Sequence, residues 1–162
     1  MATAEEMRIA FAAAGQAMAG AISESAGIWG DAVLPPEAEE VNARATGDAW
    51  TPQQTVEHAV SAVTFFRGLV ATAMEQEAEP PQRTPFPSAE EAGIALTAAV
   101  EAATTTMGGV TDGDLERPAG LPETSLGYLK SLGIESSANV GGVMLILAAH
   151  LDDHAAQIRK AL

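Results

Sequence analysis

His150 and His154 stand four residues apart in the stretch from Ala148 to Ile158. On a helix this spacing puts both imidazoles on one face, about 6 Å apart along the axis. The chain has one other histidine, His58, a few residues past a strong helix start at Thr51-Pro52. Three neutral imidazoles with an open position are what a Zn²⁺, Ni²⁺ or Fe²⁺ site that admits water or substrate requires. Other chemistries fail on the letters. A carboxylate di-iron bundle needs glutamate three residues before each histidine, and those positions hold Thr55, Leu147 and Leu151. A zincin protease needs glutamate directly after the first histidine of the helical pair, where Leu151 stands. There is no glycine-rich phosphate loop and no serine nucleophile turn. With no cysteine in the chain, thiolate ligands, disulfides and a cysteine nucleophile are excluded.

Helices must carry these residues. Thr3-Ala4-Glu5-Glu6 is a capping box, followed by an apolar stripe of Met7, Phe11, Ala14, Met18, Ala21 and Ile22, which predicts a helix to about Gly27. Gly27 to Gly47, with Pro35, Pro36 and the acidic residues Glu37, Glu39 and Glu40, reads as a loop or short helical turn, with Trp29 a plug on the core edge. Thr51-Pro52-Gln53-Gln54 starts the second helix with an N-cap, a proline at the first position and a closing glutamine. Val56, Val60, Val63, Val70 and Met74 form one stripe of it and His58, Ala62, Phe65 and Leu69 another, so burial on both faces is expected. Four prolines between Glu79 and Pro87 interrupt the chain, and Ser88-Ala89-Glu90-Glu91 is a third capping box. The helix it opens should end near Gly108-Gly109, with Ile94, Ala98 and Glu101 or Ala95, Ala99 and Ala102 as candidate faces and Leu96 and Val100 adding apolar bulk. Within Val110 to Asn139 a short helix is expected over about Glu123 to Leu132, stopped by Gly133, in a segment suited to cover a substrate. The last helix should start between Ser137 and Val140. Its stripe of Val143, Leu147, His150, His154 and Ile158 places histidines where a structural helix would carry leucines.

At 162 residues the chain is expected to form one domain over 1–162. Its net charge of −14, from 22 acidic and 8 basic residues, repels phosphate backbones and anionic lipid, so neither nucleic acid nor membrane is an expected partner. No apolar run is long enough to span a bilayer, and acidic residues stand where a secretory signal would be basic. Together with the missing cysteine this predicts a cytoplasmic protein. Alanine-rich helices that can approach closely make a homodimer an expected assembly.

Trp50-Thr51-Pro52-Gln53-Gln54-Thr55-Val56-Glu57-His58, followed far downstream by His150-x-x-x-His154-x-x-Gln157-Ile158, resembles the DinB/YfiT-like superfamily. The resemblance covers essentially the whole chain in length and helix order. It implies an all-α, up-down-up-down four-helix bundle, to which the residues over about Glu123 to Leu132 add a short extra helix between helices three and four. It also implies a divalent metal held by His58, His150 and His154. The activity implied is transfer of a low-molecular-weight thiol, such as bacillithiol, mycothiol or glutathione, to a small electrophile, or a thiol-dependent isomerisation of the maleylpyruvate type. A non-catalytic bundle that binds a small molecule or a partner, with a structural or remnant metal, is the alternative, and a fourth protein ligand closing the sphere would favour it. On the enzyme reading the electrophile sits between the metal and the Val110 to Asn139 segment, against Trp50 or Tyr128. No residue is assigned a catalytic role. Ala155-Ala156 stands where relatives often carry a further histidine or arginine and a glycine, so a basic residue that would steer an anionic substrate is missing there. Asp152 and Asp153 are expected to be solvated, with orientation of a ligand from behind as the lesser alternative.

Overall fold

The N-terminal helix starts as its capping box requires. Thr3 Oγ1 accepts from the Glu6 amide and the Glu6 carboxylate from the Thr3 amide, opening α1 (Ala4–Glu24), which ends in a 3-10 turn at Ala26–Ile28. Residues 2–38, 41, 42 and 44–162 are described by this computed structural model, so Glu39 and Glu40 of the acidic run lie outside the described residues. Three further long or short helices follow the expected starts: α2 (Pro52–Ala73), α3 (Ala89–Met107) and α4 (Glu123–Ser131). The last, α5 (Val140–Lys160), is capped by Asn139. Apart from two isolated bridges, the regular structure of the described residues is helical. None of these helices is long and apolar enough to cross a membrane.

The α1 stripe of Met7, Phe11, Ala14, Met18, Ala21 and Ile22 is buried throughout. Val143, Leu147, His150, His154 and Ile158 of α5 are buried as one face. Two periodicity readings need correction. On α3 the core face is Ala92, Leu96, Ala103 and Met107, while Ile94 is 67 % exposed. Alanines fill every candidate face of that helix, so its pattern carried little contrast. On α2 only Val56, Val63 and Val70 of the first stripe are fully buried, and Phe65 of the second is 37 % exposed. Of the second stripe, His58, Ala62 and Phe65 line a cavity, while Leu69 packs against the core. Ser88 caps α3 by accepting from the Glu91 amide, but its hydroxyl, not its amide, donates to Glu91, so that capping box is half formed.

Contacts between the helix ends fix their directions. Arg8, near the start of α1, donates to the Met107 and Val110 carbonyls at the end of α3. Met7 shares a hollow with Gly141 and Leu145, at the start of α5, and Arg159 reaches Glu24 at the other end. The starts of α2 and α3 are tied by the Phe86 amide donating to Glu57, and Arg67 donates to Thr106 toward their ends. The order is therefore up-down-down-up, with α1 parallel to α5 and α2 to α3, which corrects the expected up-down-up-down. The cause is the proline-rich connection 74–88. A helix of 22 residues is about 33 Å long, and an extended run at about 3.1 Å per residue is long enough to return along it.

Two loops position the site. Leu34 and Trp50 exchange backbone hydrogen bonds of 2.9 and 2.7 Å, pinching the long α1–α2 connection at its base, three residues before Glu37. The segment before α5 is pressed against its first turn, where a Cβ on Gly142 would stand 2.0 Å from the Ser137 carbonyl oxygen, so only glycine fits. Gly133, at φ 79°, ends the turn after α4 as expected.

Candidate metal centre

His58 projects from the second turn of α2, and His150 and His154 from successive turns of α5, onto one point between these antiparallel helices. The Nε2 atoms of His58 and His154 lie 3.1 and 3.0 Å from that of His150. All three expected histidines therefore meet. A fourth group joins them, brought by the pinched loop. Glu37 Oε2 lies 2.9, 3.1 and 3.0 Å from the Nε2 atoms of His58, His150 and His154. The side chains of Glu37, His150 and His154 are buried, and His58 is the partly open member.

A proton count shows what this arrangement suits. His154 Nδ1 is 3.0 Å from Gln157 Oε1, and donating there leaves a bare lone pair on Nε2. Neutral His58 and His150 then bring at most two protons to five close contacts. The remaining contacts set lone pair against lone pair, which a cation among the four atoms relieves. Donors bonded to one ion at about 2.0–2.2 Å stand about 3 Å apart when at right angles, matching the separations here. The four donors, which all lie within 4.8 Å of one another, thus fit a divalent ion.

The charges point the same way. Burial alone would raise the Glu37 carboxyl, but hydrogen bonds from His150, His154 and His58 outweigh it and hold it well below the usual carboxylate range. Burial pushes His58 below its ordinary value despite the Glu37 bond. Burial, joined by the neighbouring imidazoles, pushes His150 down to about 3. Both rings are thus neutral at pH 7, as ligation demands.

Groups behind the ligands orient them. Gln157 Nε2 donates to Asp153 at 3.4 Å, and Tyr128 Oη donates to the same carboxylate oxygen at 2.6 Å. Asp153 is therefore half-buried and engaged, not solvated as expected, whereas Asp152 is exposed. Burial and the Asp153 bond raise the Tyr128 hydroxyl far above its ordinary value, so it stays protonated. Asn42 Nδ2 lies 3.2 Å from His58 Nδ1.

A cavity of about 300 Å³ opens onto His58 and His150, walled by Phe65, Phe66, Ile146 and Tyr128 with the hydroxyls of Ser61 and Ser125. Tyr128 thus stands in the cavity wall. Trp50 is placed behind it, 5 % exposed and edge-on to His58 with ring centroids 5.6 Å apart. Glu37 was missed in the sequence because it belongs to no helix. Nothing local separates it from the two glutamates that follow, and only the long-range pairing of Leu34 with Trp50 selects it.

Comparison with curated proteins and with solved structures gave no match. Residues 31–158, from the loop that carries Glu37 to the last turns of α5, match the sequence model of the DinB superfamily. That span holds all four donor residues, and the chain belongs to the DinB superfamily.

Proposed function

We propose that the protein is a divalent-metal-dependent enzyme that conjugates a low-molecular-weight thiol to a small electrophile. The observation that supports this best is the cavity of about 300 Å³ with two of the metal-site imidazoles in its wall. A donor set buried for structure alone would have no reason to face a space of that size. A divalent ion bound there supplies positive charge that lowers the pKa of a thiol or water beside it. The chain's own residues do the rest. Phe65, Phe66 and Ile146 give the electrophile apolar walls and exclude water, Ser61 and Ser125 offer hydroxyls to orient it, and Tyr128 closes the side under α4. Trp50 acts from behind, fixing the plane of His58.

One observation favours the second reading, a non-catalytic metal protein: Glu37 is a fourth protein donor. It comes from a loop, however, so exchange of this carboxylate for substrate does not require a helix to move. The test is a panel of bacillithiol, mycothiol, glutathione and cysteine with a general electrophile and metal-loaded protein. Turnover of at least one thiol above the metal-free control, lost in His150→Ala, is expected. No turnover, together with no thiol binding by calorimetry, would leave the binding protein as the function.

A further inference from the structure

Arginines are scarce in this acidic chain, and most are visibly used. Among the described residues Arg8, Arg117 and Arg159 pair with carboxylates, and Arg67 donates to Thr106. Arg44 and Arg83 have no such carboxylate among the described residues. Instead both line one hollow of about 200 Å³. It shares His58, Asn42, Ser61 and Pro81 with the apolar cavity, so the two spaces form one cleft with His58 at the junction. Arg83 is held in place there. Its guanidinium lies 5.9 Å from the centre of the buried Trp50 ring and 3.4 Å from the Gln54 carbonyl, and Trp50 in turn packs on His58.

One half of the cleft is therefore apolar and the other cationic, in a protein whose net charge is −14. Planar guanidinium groups are suited to carboxylate and phosphate, and a concave site concentrates their field. We propose that the cleft takes a small molecule bearing an oxyanion, a carboxylate or a phosphate, held by Arg44 and Arg83. Its apolar body rests on Phe65 and Phe66 and its reacting atom lies beside His58. The cation that Ala155-Ala156 lacks on α5 is thus supplied by two loops. The identity of the reacting atom as sulfur rests on the thiol-transfer reading; the oxyanion site does not.

The test is calorimetric titration of metal-loaded protein with 3-mercaptopropionate and 3-mercaptopropanamide, which share a thiol and differ in charge. The acid should bind about tenfold tighter or better, and the ratio should shrink as salt is added. The Arg44→Gln/Arg83→Gln double variant should bind both alike, with metal content and Tm unchanged. Equal affinities in the unmodified protein would overturn the proposal. So would a preference for the acid that survives in the double variant, since the carboxylate would then sit on the ion. Phenylacetate, phenyl phosphate and phenylacetamide carry no sulfur and read the same preference separately. If neither thiol binds but either anion exceeds the amide in an arginine-dependent way, the thiol reading falls and the oxyanion site stands. The stronger of the two anions identifies the group.

Discussion

At the scale of single residues, Gln157 decides which nitrogen of His154 carries the proton, and Asp153 decides which way Gln157 faces. Replacing Gln157 by alanine frees that tautomer without touching the ion, and such outer partners typically change metal affinity about 10–100-fold. Chelator competition should show a loss of that size, and unchanged affinity would remove Gln157 from the site. The depressed imidazoles give a second expectation. Below the ordinary value of 6.5 the unfolded chain takes up protons that the folded His58 and His150 refuse, so stability of the metal-free protein must fall with pH from there toward about 3. Glu37, depressed from 4.5, adds a further loss at the acid end. Urea midpoints across this range should therefore decline, less steeply in His150→Gln, and a flat profile would contradict the buried neutral rings. The three histidines were legible from their number and spacing. Glu37 and Asn42 were not, and the engagement of Asp153 stood only as the lesser alternative, because each depends on a partner far away in the chain or on a rotamer.

At the scale of elements, the helix starts were the most legible features. Thr3, Thr51 and Ser88 each satisfy amides that the helix itself cannot, and each sits where its side chain promised. The faces were legible only where large residues contrast with polar ones, as on α1 and α5, and not on the alanine-rich α3. Helix direction was hidden because prolines between α2 and α3 mark a break without saying whether the chain turns or travels. The covering helix α4 is the lightly held element. Leu129 is fully buried and Tyr128 bonds to Asp153, while most of its other residues are exposed or half-exposed. Leu129→Ala should cost about 2–5 kcal/mol, measured by urea unfolding, and raise amide exchange in α4 first. A loss well under 1 kcal/mol would mean that α4 is anchored otherwise.

For the molecule as a whole, we propose self-association across the outer face of α1 and α3, where Ile94 stands 67 % exposed beside a shallow hollow lined by Ala19 and Ala98. Sedimentation at tens of micromolar should show a dimer that Ile94→Glu dissociates, and a monomer in the unmodified protein would contradict it. The metal centre draws on three distant parts of the chain, a loop, α2 and α5, so its existence is a property of the complete fold. It is tested most directly by counting metal per chain by mass spectrometry after dialysis, in protein purified without an affinity column. One divalent ion per chain is expected in the unmodified protein and in Glu37→Ala, bound more weakly in the latter, and none in His150→Ala/His154→Ala. Stoichiometric metal retained by that double variant, or a fully metal-free unmodified protein that takes up no ion when one is offered, would contradict the site.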